Sequence, residues 1–355
     1  MFVAVNPFIS LFRKRLHRGA HVALALFFGA VQLAANASAN GLTVLMGDDL
    51  AAHSEFVQHV RAGQEPGGRF ELVRLSPGGV DTQQAVEAAA AEPDRGATAG
   101  VRTRGLRTAP ADATLTMAVG VPAARAALER PGQQPLVLAM LSRLDYENLR
   151  ASSPALRRGD RRVGVLLRDP AMADQLALVG AVLPQKYRIG VVATPESEPL
   201  VRELQRAAQG ANPAWDLQVE YAPDAKSLAA ALRSVVPRSD ALMVLPDLIG
   251  DSQAATLSVL RAGAGAGLPV FGASEGLVRS GGLAAAVSTP AQLAQQAKLL
   301  GQKLASAGGT AGTGGSPLVE SATPSTVRVN TTVARGLGLR LPEERELTER
   351  LTVTR

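Results

Sequence analysis

Residues 272–276 read Gly272-Ala273-Ser274-Glu275-Gly276, a G-x-S-x-G between the apolar run LPVFG and the helix-compatible stretch EGLVRS. On a strand–turn–helix this spacing lifts a serine hydroxyl onto a sharp elbow, where an acyl-transfer nucleophile would sit, with a base histidine later in the chain. All four histidines (His17, His21, His53 and His59) precede Ser274. Ser274 is therefore read as a hydroxyl and free amide offered to a ligand, or as a helix cap. His53 and His59 are six apart and fall on different faces of a helix. There is no H-E-x-x-H, and with no cysteine there is neither a thiolate metal site nor a disulfide. The glycines of 263–267 precede a strand, whereas a phosphate loop must follow one. These patterns point to binding without covalent chemistry, metal or cofactor.

The elements that position Ser274 are short apolar runs alternating with helices. In the region 239–282, ALMVLPD and LPVFG read as strands buried on both faces, separated by the helix SQAATLSVLRAGA. The same alternation opens the chain after residue 40. Strand GLTVLMGDD is followed by helix LAAHSEFVQHVRAG, strand RFELVRLSP and a helix over DTQQAVEAAAAE with Asp81 as its N-cap. After an arginine-rich insert, 93–111, it resumes with TLTMAVG, a helix entered through Pro122, and PLVLAM. A second lobe follows from RVGVLLR, RIGVVAT, LQVEYA and their helices, and a long helix runs over 290–308. Hairpin signals of the Asn-Gly kind are absent, so the expected fold class is α/β, with two Rossmann-like (flavodoxin-like) lobes of parallel strands. The expected division is 41–145 plus 290–308 for lobe one, 146–289 plus 316–342 for lobe two, and a tail, 343–355, that is partly disordered.

In open α/β sheets ligands bind beyond the carboxyl ends of the strands. That rule selects Met46, Gly47, Asp48, Gly120, Val121, Met140 and Ser142 from lobe one, and Asp247, Phe271, Gly272 and Ser274 from lobe two.

The chain of 355 residues is 46% apolar and 3% aromatic. Its formal charge of +6 is inflated by Arg13, Lys14, Arg15 and Arg18, in a first stretch without acids. Without those four, 33 basic residues face 31 acidic ones, a net +2. Such a balance excludes nucleic acid as the main partner. Residues 1–39 carry a basic patch, RKRLHR, an apolar run from Val22 to Ala35 and the ending Ala37-Ser38-Ala39, the three parts of an export signal cleaved before Asn40. The run falls short of the ~20 residues that span a bilayer. The expectation is an exported, periplasmic monomer with no membrane anchor after cleavage.

Several stretches resemble the substrate-binding proteins of ABC transporters, of the type related to tryptophan and tyrosine binders. They are TLTMAVGVPAARAAL, QPLVLAMLSR, RVGVLL, DALMVLPD, LPVFGASEGLVRSGGLAAAVS, LAQQAKLLGQKL and VRVNTTVARGLGLRLP, together spanning most of 112–342. The resemblance implies two lobes joined by three crossovers, a small ligand clamped by hinge closure, and delivery to an inner-membrane ABC permease. In that frame Asp247 takes a ligand ammonium, Ser142 and Ser274 bond a carboxylate, and Phe271 walls the apolar part. The opening MGDDLAAHSEF and the insert depart from the family. The alternative is an accessory or sensor-associated protein of the same fold that binds a protein partner through Arg102, Arg104 and Arg107.

Overall fold

Gly41–Met46 is buried at every position, and this strand, β1, shows how the sheets are built. Leu42, Val44 and Met46 pack on one face of the sheet and Leu45 on the other, the period-two alternation of a strand covered by helices on both sides. The structure, a computed structural model, describes residues 41–65, 68–76, 79–81, 113–159, 161–306, 315–324 and 326–353. All of these fall within one compact unit, Ala39–Arg355. The expected export signal, the insert and all but the first residue of the helix expected at 81–92 lie outside the described residues.

After β1 come α1 (Ala51–Ala62), β2 (Phe70–Ser76), β3 (Gly79–Asp81), β4 (Ala113–Val119), α2 (Gly120–Glu129), β5 (Leu136–Leu141), α3 (Arg143–Ser152), α4 (Pro154–Arg158) and β6 (Val163–Pro170). The second lobe contains α5 (Met172–Val182), β7 (Arg188–Ala193), α6 (Glu198–Gly210), β8 (Asp216–Tyr221), α7 (Ala225–Val235), β9 (Ala241–Met243), α8 (Leu248–Asp251), α9 (Gln253–Ala266), β10 (Val270–Gly272), α10 (Glu275–Arg279) and β11 (Ala284–Val287). The chain returns through α11 (Pro290–Ser306) and β12 (Leu318–Ala322), then crosses again to β13 (Thr326–Val329), α12 (Thr331–Gly336) and α13 (Glu344–Val353).

The first sheet has the order β12-β6-β5-β4-β1-β2-β3 and the second β13-β11-β10-β9-β7-β8. Both are parallel except for β3 against β2 and β13 against β11. The β2–β3 hairpin corrects the purely parallel expectation: Asp81 ends an antiparallel edge strand and pairs with Arg74. Sheet membership also corrects the lobe boundary. β6 pairs with β5 and β12 pairs with β6, so residues through Pro170 and the strand at 318–322 belong to the first lobe. The tail is corrected too, because Leu347 and Leu351 of α13 are buried in the second lobe's core.

Three crossovers join the lobes: β6 to α5, β11 to α11, and β12 to β13. They run side by side, with Ala322 paired to Pro170 and the Ser288 hydroxyl donating to the Thr323 carbonyl at 2.6 Å. Adjacent crossovers of this kind confine relative motion to a hinge. Among the described residues no helix is long and apolar enough to cross a membrane.

Candidate functional site

A cleft of about 860 Å³ opens between the lobes, beside the crossovers. The first lobe contributes Ala52 and Glu55 of α1, Met140 of β5, Arg168 and Asp169 of β6, and Leu293 of α11. The second contributes the loop after β9, the short helix α8 with Asp251, the start of α9, and the segment from Gly272 to Leu277. Val287, Ser288 and Thr289, on the second crossover, lie at its back.

β6 ends in Leu167-Arg168-Asp169-Pro170, so two charged residues occupy the last turn of a strand that is otherwise buried. Asp169 is 16% exposed at the side chain, and its Oδ2 atom is buried without a hydrogen-bond partner. Burial pushes its carboxyl up to about 6, against the lowering effect of the Arg168 charge. Arg168 Nε is 3.7 Å from Asp169 Oδ2, beyond hydrogen-bonding reach, while Arg168 Nη2 lies 3.8 Å from Asp251 Oδ2. Arg168 thus faces a carboxylate of its own lobe and one of the opposite lobe.

Met140 reaches the cleft through a backbone irregularity. Its φ of 60° is left-handed, uncommon for a residue with a side chain, and the β5–β6 register shifts between Ala139 and Leu141. This one-residue bulge re-aims Met140 at the cleft wall, where strain of this kind costs about 1–3 kcal/mol.

Three of the strand-end candidates, Met140, Gly272 and Ser274, line the cleft together. Ser274 also caps α10, its Oγ accepting from the Leu277 amide at 3.2 Å. The other candidates have partners elsewhere. Asp247, 1% exposed, caps α8 through the Ile249 and Gly250 amides and accepts from the Ser197 hydroxyl at 2.5 Å. Desolvation raises its pKa, and those hydrogen bonds oppose the rise. Asp247 therefore positions α8, and with it Asp251, instead of standing on the wall. Ser142 is locked in a capping box with Asp145 at the start of α3. Phe271 is a core side chain of the second lobe.

The ends of β1 and β4 pack against each other. A Cβ on Gly47 would meet Pro122 Cβ at 2.6 Å, and one on Gly120 would meet His53 Cε1 at 2.8 Å and Asp48 Oδ2 at 3.0 Å. Asp48 is held by His53, Oδ1 to Nδ1 at 2.6 Å. Met46 is core, and Val121 packs against the cluster under α2. This corner of the first lobe is filled by its own residues.

The strand-end reading missed Arg168, Asp169 and Asp251. The signal was present in RVGVLLRDP, a buried strand closed by charged residues and proline, but the strand was assigned to the other lobe. Among the described residues no group of three or more His, Cys, Asp or Glu side chains is placed to hold a metal ion.

The family model described as ABC transporter substrate binding protein matches residues 111–346. No match is found among curated proteins. Among solved structures, the ligand-free, open form of a substrate binding protein with adhesive properties from Clostridium difficile is 15% identical. The similarity covers 86% of this chain and 96% of that one, with a TM-score of 0.57. A conserved domain protein from Vibrio cholerae is 20% identical over 88% of this chain and 98% of that one, with a TM-score of 0.50. At such identities these two show the fold alone. With two thirds of its length under the family model and a two-lobed fold with three crossovers, the chain belongs to the ABC transporter substrate binding protein family.

Proposed function

We propose that this chain is an exported solute-binding protein that captures a small polar ligand between its lobes and presents it to an inner-membrane ABC permease. The observation that carries the reading is the cleft of about 860 Å³, walled by polar and charged residues of both lobes beside three adjacent crossovers. A pocket of this size suits a small molecule. Hinge closure over it brings Arg168 and Asp169 toward Asp251 and Ser274, so one ligand can be held by both lobes at once.

Covalent chemistry is not part of this reading, since Ser274 serves as a helix cap in the cleft wall. The protein-partner alternative rests on Arg102, Arg104 and Arg107, which lie outside the described residues.

The reading is tested by native mass spectrometry of the protein recovered from the periplasm, together with thermal shift against amino acids, small peptides, purines and sugars. A carried-over small molecule, or a compound that raises Tm, is expected. A ligand at a hundred times its Kd adds about 2.7 kcal/mol. Failure of both, with a protein partner co-purifying, overturns it. N-terminal sequencing of the recovered protein is expected to begin at Asn40.

A further inference from the structure

The wall of the cleft is chemically lopsided. Four carboxylate residues, Glu55, Asp169, Asp251 and Glu275, reach it against one arginine, Arg168, and no aromatic side chain lines it among the described residues. Glu275 is neutralised from behind, accepting from Arg328 Nε at 2.8 Å and from Arg279 Nη1 at 3.3 Å. Arg168 stands between two carboxylates and hydrogen-bonds neither. Asp169 keeps a buried oxygen, Oδ2, that accepts from no group of the protein. Most buried polar atoms have a partner, so the Asp169 carboxyl group, which belongs to the cleft wall, is short of a donor. The apolar part of the wall is aliphatic: Met140, Leu257, Leu277, Val287 and Leu293.

We infer that the ligand is an aliphatic molecule bearing a primary or secondary ammonium group, whose N–H donates to the Asp169 carboxylate while its carbon chain lies on the aliphatic wall. This rests on the cleft being the ligand site, as proposed above. The excess of carboxylates attracts a cation into the cleft and repels a phosphate or a dicarboxylate. A quaternary ammonium has no N–H to donate to the carboxylate, and among the described residues this wall has none of the aromatic faces that hold such groups by cation–π attraction. A sugar supplies hydroxyl donors but leaves the carboxylate charge unmatched.

The test is thermal shift and calorimetry on the mature protein with pairs that share a carbon chain. These are 1-aminopentane against pentyltrimethylammonium, 1,5-diaminopentane against its bis-trimethylammonium analogue, and L-leucine against 4-methylpentanoate. L-Tryptophan, glutarate and glucose complete the panel. The N–H-bearing aliphatic compounds are expected to bind, and removal of the ammonium or of its N–H is expected to weaken binding about tenfold to a hundredfold. Asp169→Asn keeps the side-chain shape and is expected to lose the same factor. Should that variant not melt cooperatively, the trimethylation pairs in the wild-type protein carry the test alone. Binding of glutarate, glucose or a trimethylated compound in preference to the ammonium compounds overturns the inference while leaving the solute-binding reading intact. So does tighter binding of L-tryptophan than of L-leucine. Silence across the whole panel, with no ligand carried over in native mass spectrometry, overturns both.

Discussion

Arg143, at the start of α3 in the first lobe, holds Glu203 of α6 in the second, with Nη2 2.9 Å and Nε 3.1 Å from Oε2. The other oxygen of Glu203 accepts from the Met172 amide at 3.2 Å, just after the first crossover. One carboxylate therefore braces both lobes and the chain between them. Both side chains are mostly buried, so removing one partner strands a charge. Glu203→Gln is expected to cost about 2 kcal/mol, below the range for fully buried pairs because some water reaches this one. The reversed pair Arg143→Glu/Glu203→Arg is expected to recover only part, since arginine cannot accept from Met172. Chemical denaturation measures the loss, and small-angle X-ray scattering is expected to show a broader range of lobe separations in Glu203→Gln. Full recovery by the reversed pair contradicts the brace.

Asp169 makes the unliganded protein sensitive to pH. Its carboxyl is pushed up to about 6 from the ordinary 3.8 by burial, lowered in turn by Arg168 and raised by Asp251 and Asp145. Between those values the folded chain retains a proton that the unfolded chain has released. This contribution to stability is thus fully present below about pH 4 and lost as pH rises through 6, by at most about 3 kcal/mol. Asp169→Asn is expected to flatten that slope and to melt above wild type at pH 7.5. Parallel Tm–pH profiles for the two proteins contradict it.

Gly120 has a φ of 80°, and a Cβ there would meet His53 Cε1 at 2.8 Å. Gly120→Ala is expected to destabilise by about 1–3 kcal/mol through backbone strain and the contact together. In the background of His53→Ala the 2.8 Å contact disappears, leaving the backbone cost and the 3.0 Å approach to Asp48 Oδ2. A double-mutant cycle by urea unfolding is therefore expected to show coupling between the two positions. Strict additivity contradicts the packing of this corner.

Asp240 is held at about 2 chiefly by its hydrogen bonds from Arg188, at 3.0 Å from Nη2 and 3.3 Å from Nε, which tie the start of β7 to the loop before β9. A depressed carboxyl contributes stability above the ordinary value, and that contribution is lost as pH falls from about 4 toward 2. Wild type is expected to be more stable than Asp240→Asn at pH 7, with the gap closing by pH 2. Acid titrations followed by circular dichroism read the difference, and a gap that persists at pH 2 contradicts the assignment.

The β–α alternation was legible because the strands are buried on both faces and the helices on one. In GLTVLM only Thr43 is polar and in RIGVVA only the leading Arg188, while Leu200, Val201, Leu204 and Ala208 mark the inner stripe of α6. The hairpin of β2 and β3 carries a turn signal in the sequence, Pro77-Gly78-Gly79, but no Asn-Gly pair, and the helix expected from Asp81 onward hid it. The place of β6 was hidden for another reason. A buried strand carries no label for its sheet, and β6 enters the first sheet by pairing with β5, with β12 added on its other side about 150 residues later.

The alternation of strands and helices and the two-lobed α/β class follow from the order of residues alone. Local hydrophobic periodicity and the right-handed crossover are enough for that. Which strand ends face a cleft is set by how the distant segments pack. In the first sheet those of β5 and β6, nearest the crossovers, stand open, whereas those of β1 and β4 are filled by His53, Gly120 and Pro122. Ser274, with a nucleophile's spacing, is a cap on the cleft wall, and the unmet acceptor is Asp169. Its hydrogen-bond deficit depends on burial and on the position of Arg168 and Asp251, and those arise only when distant segments pack together.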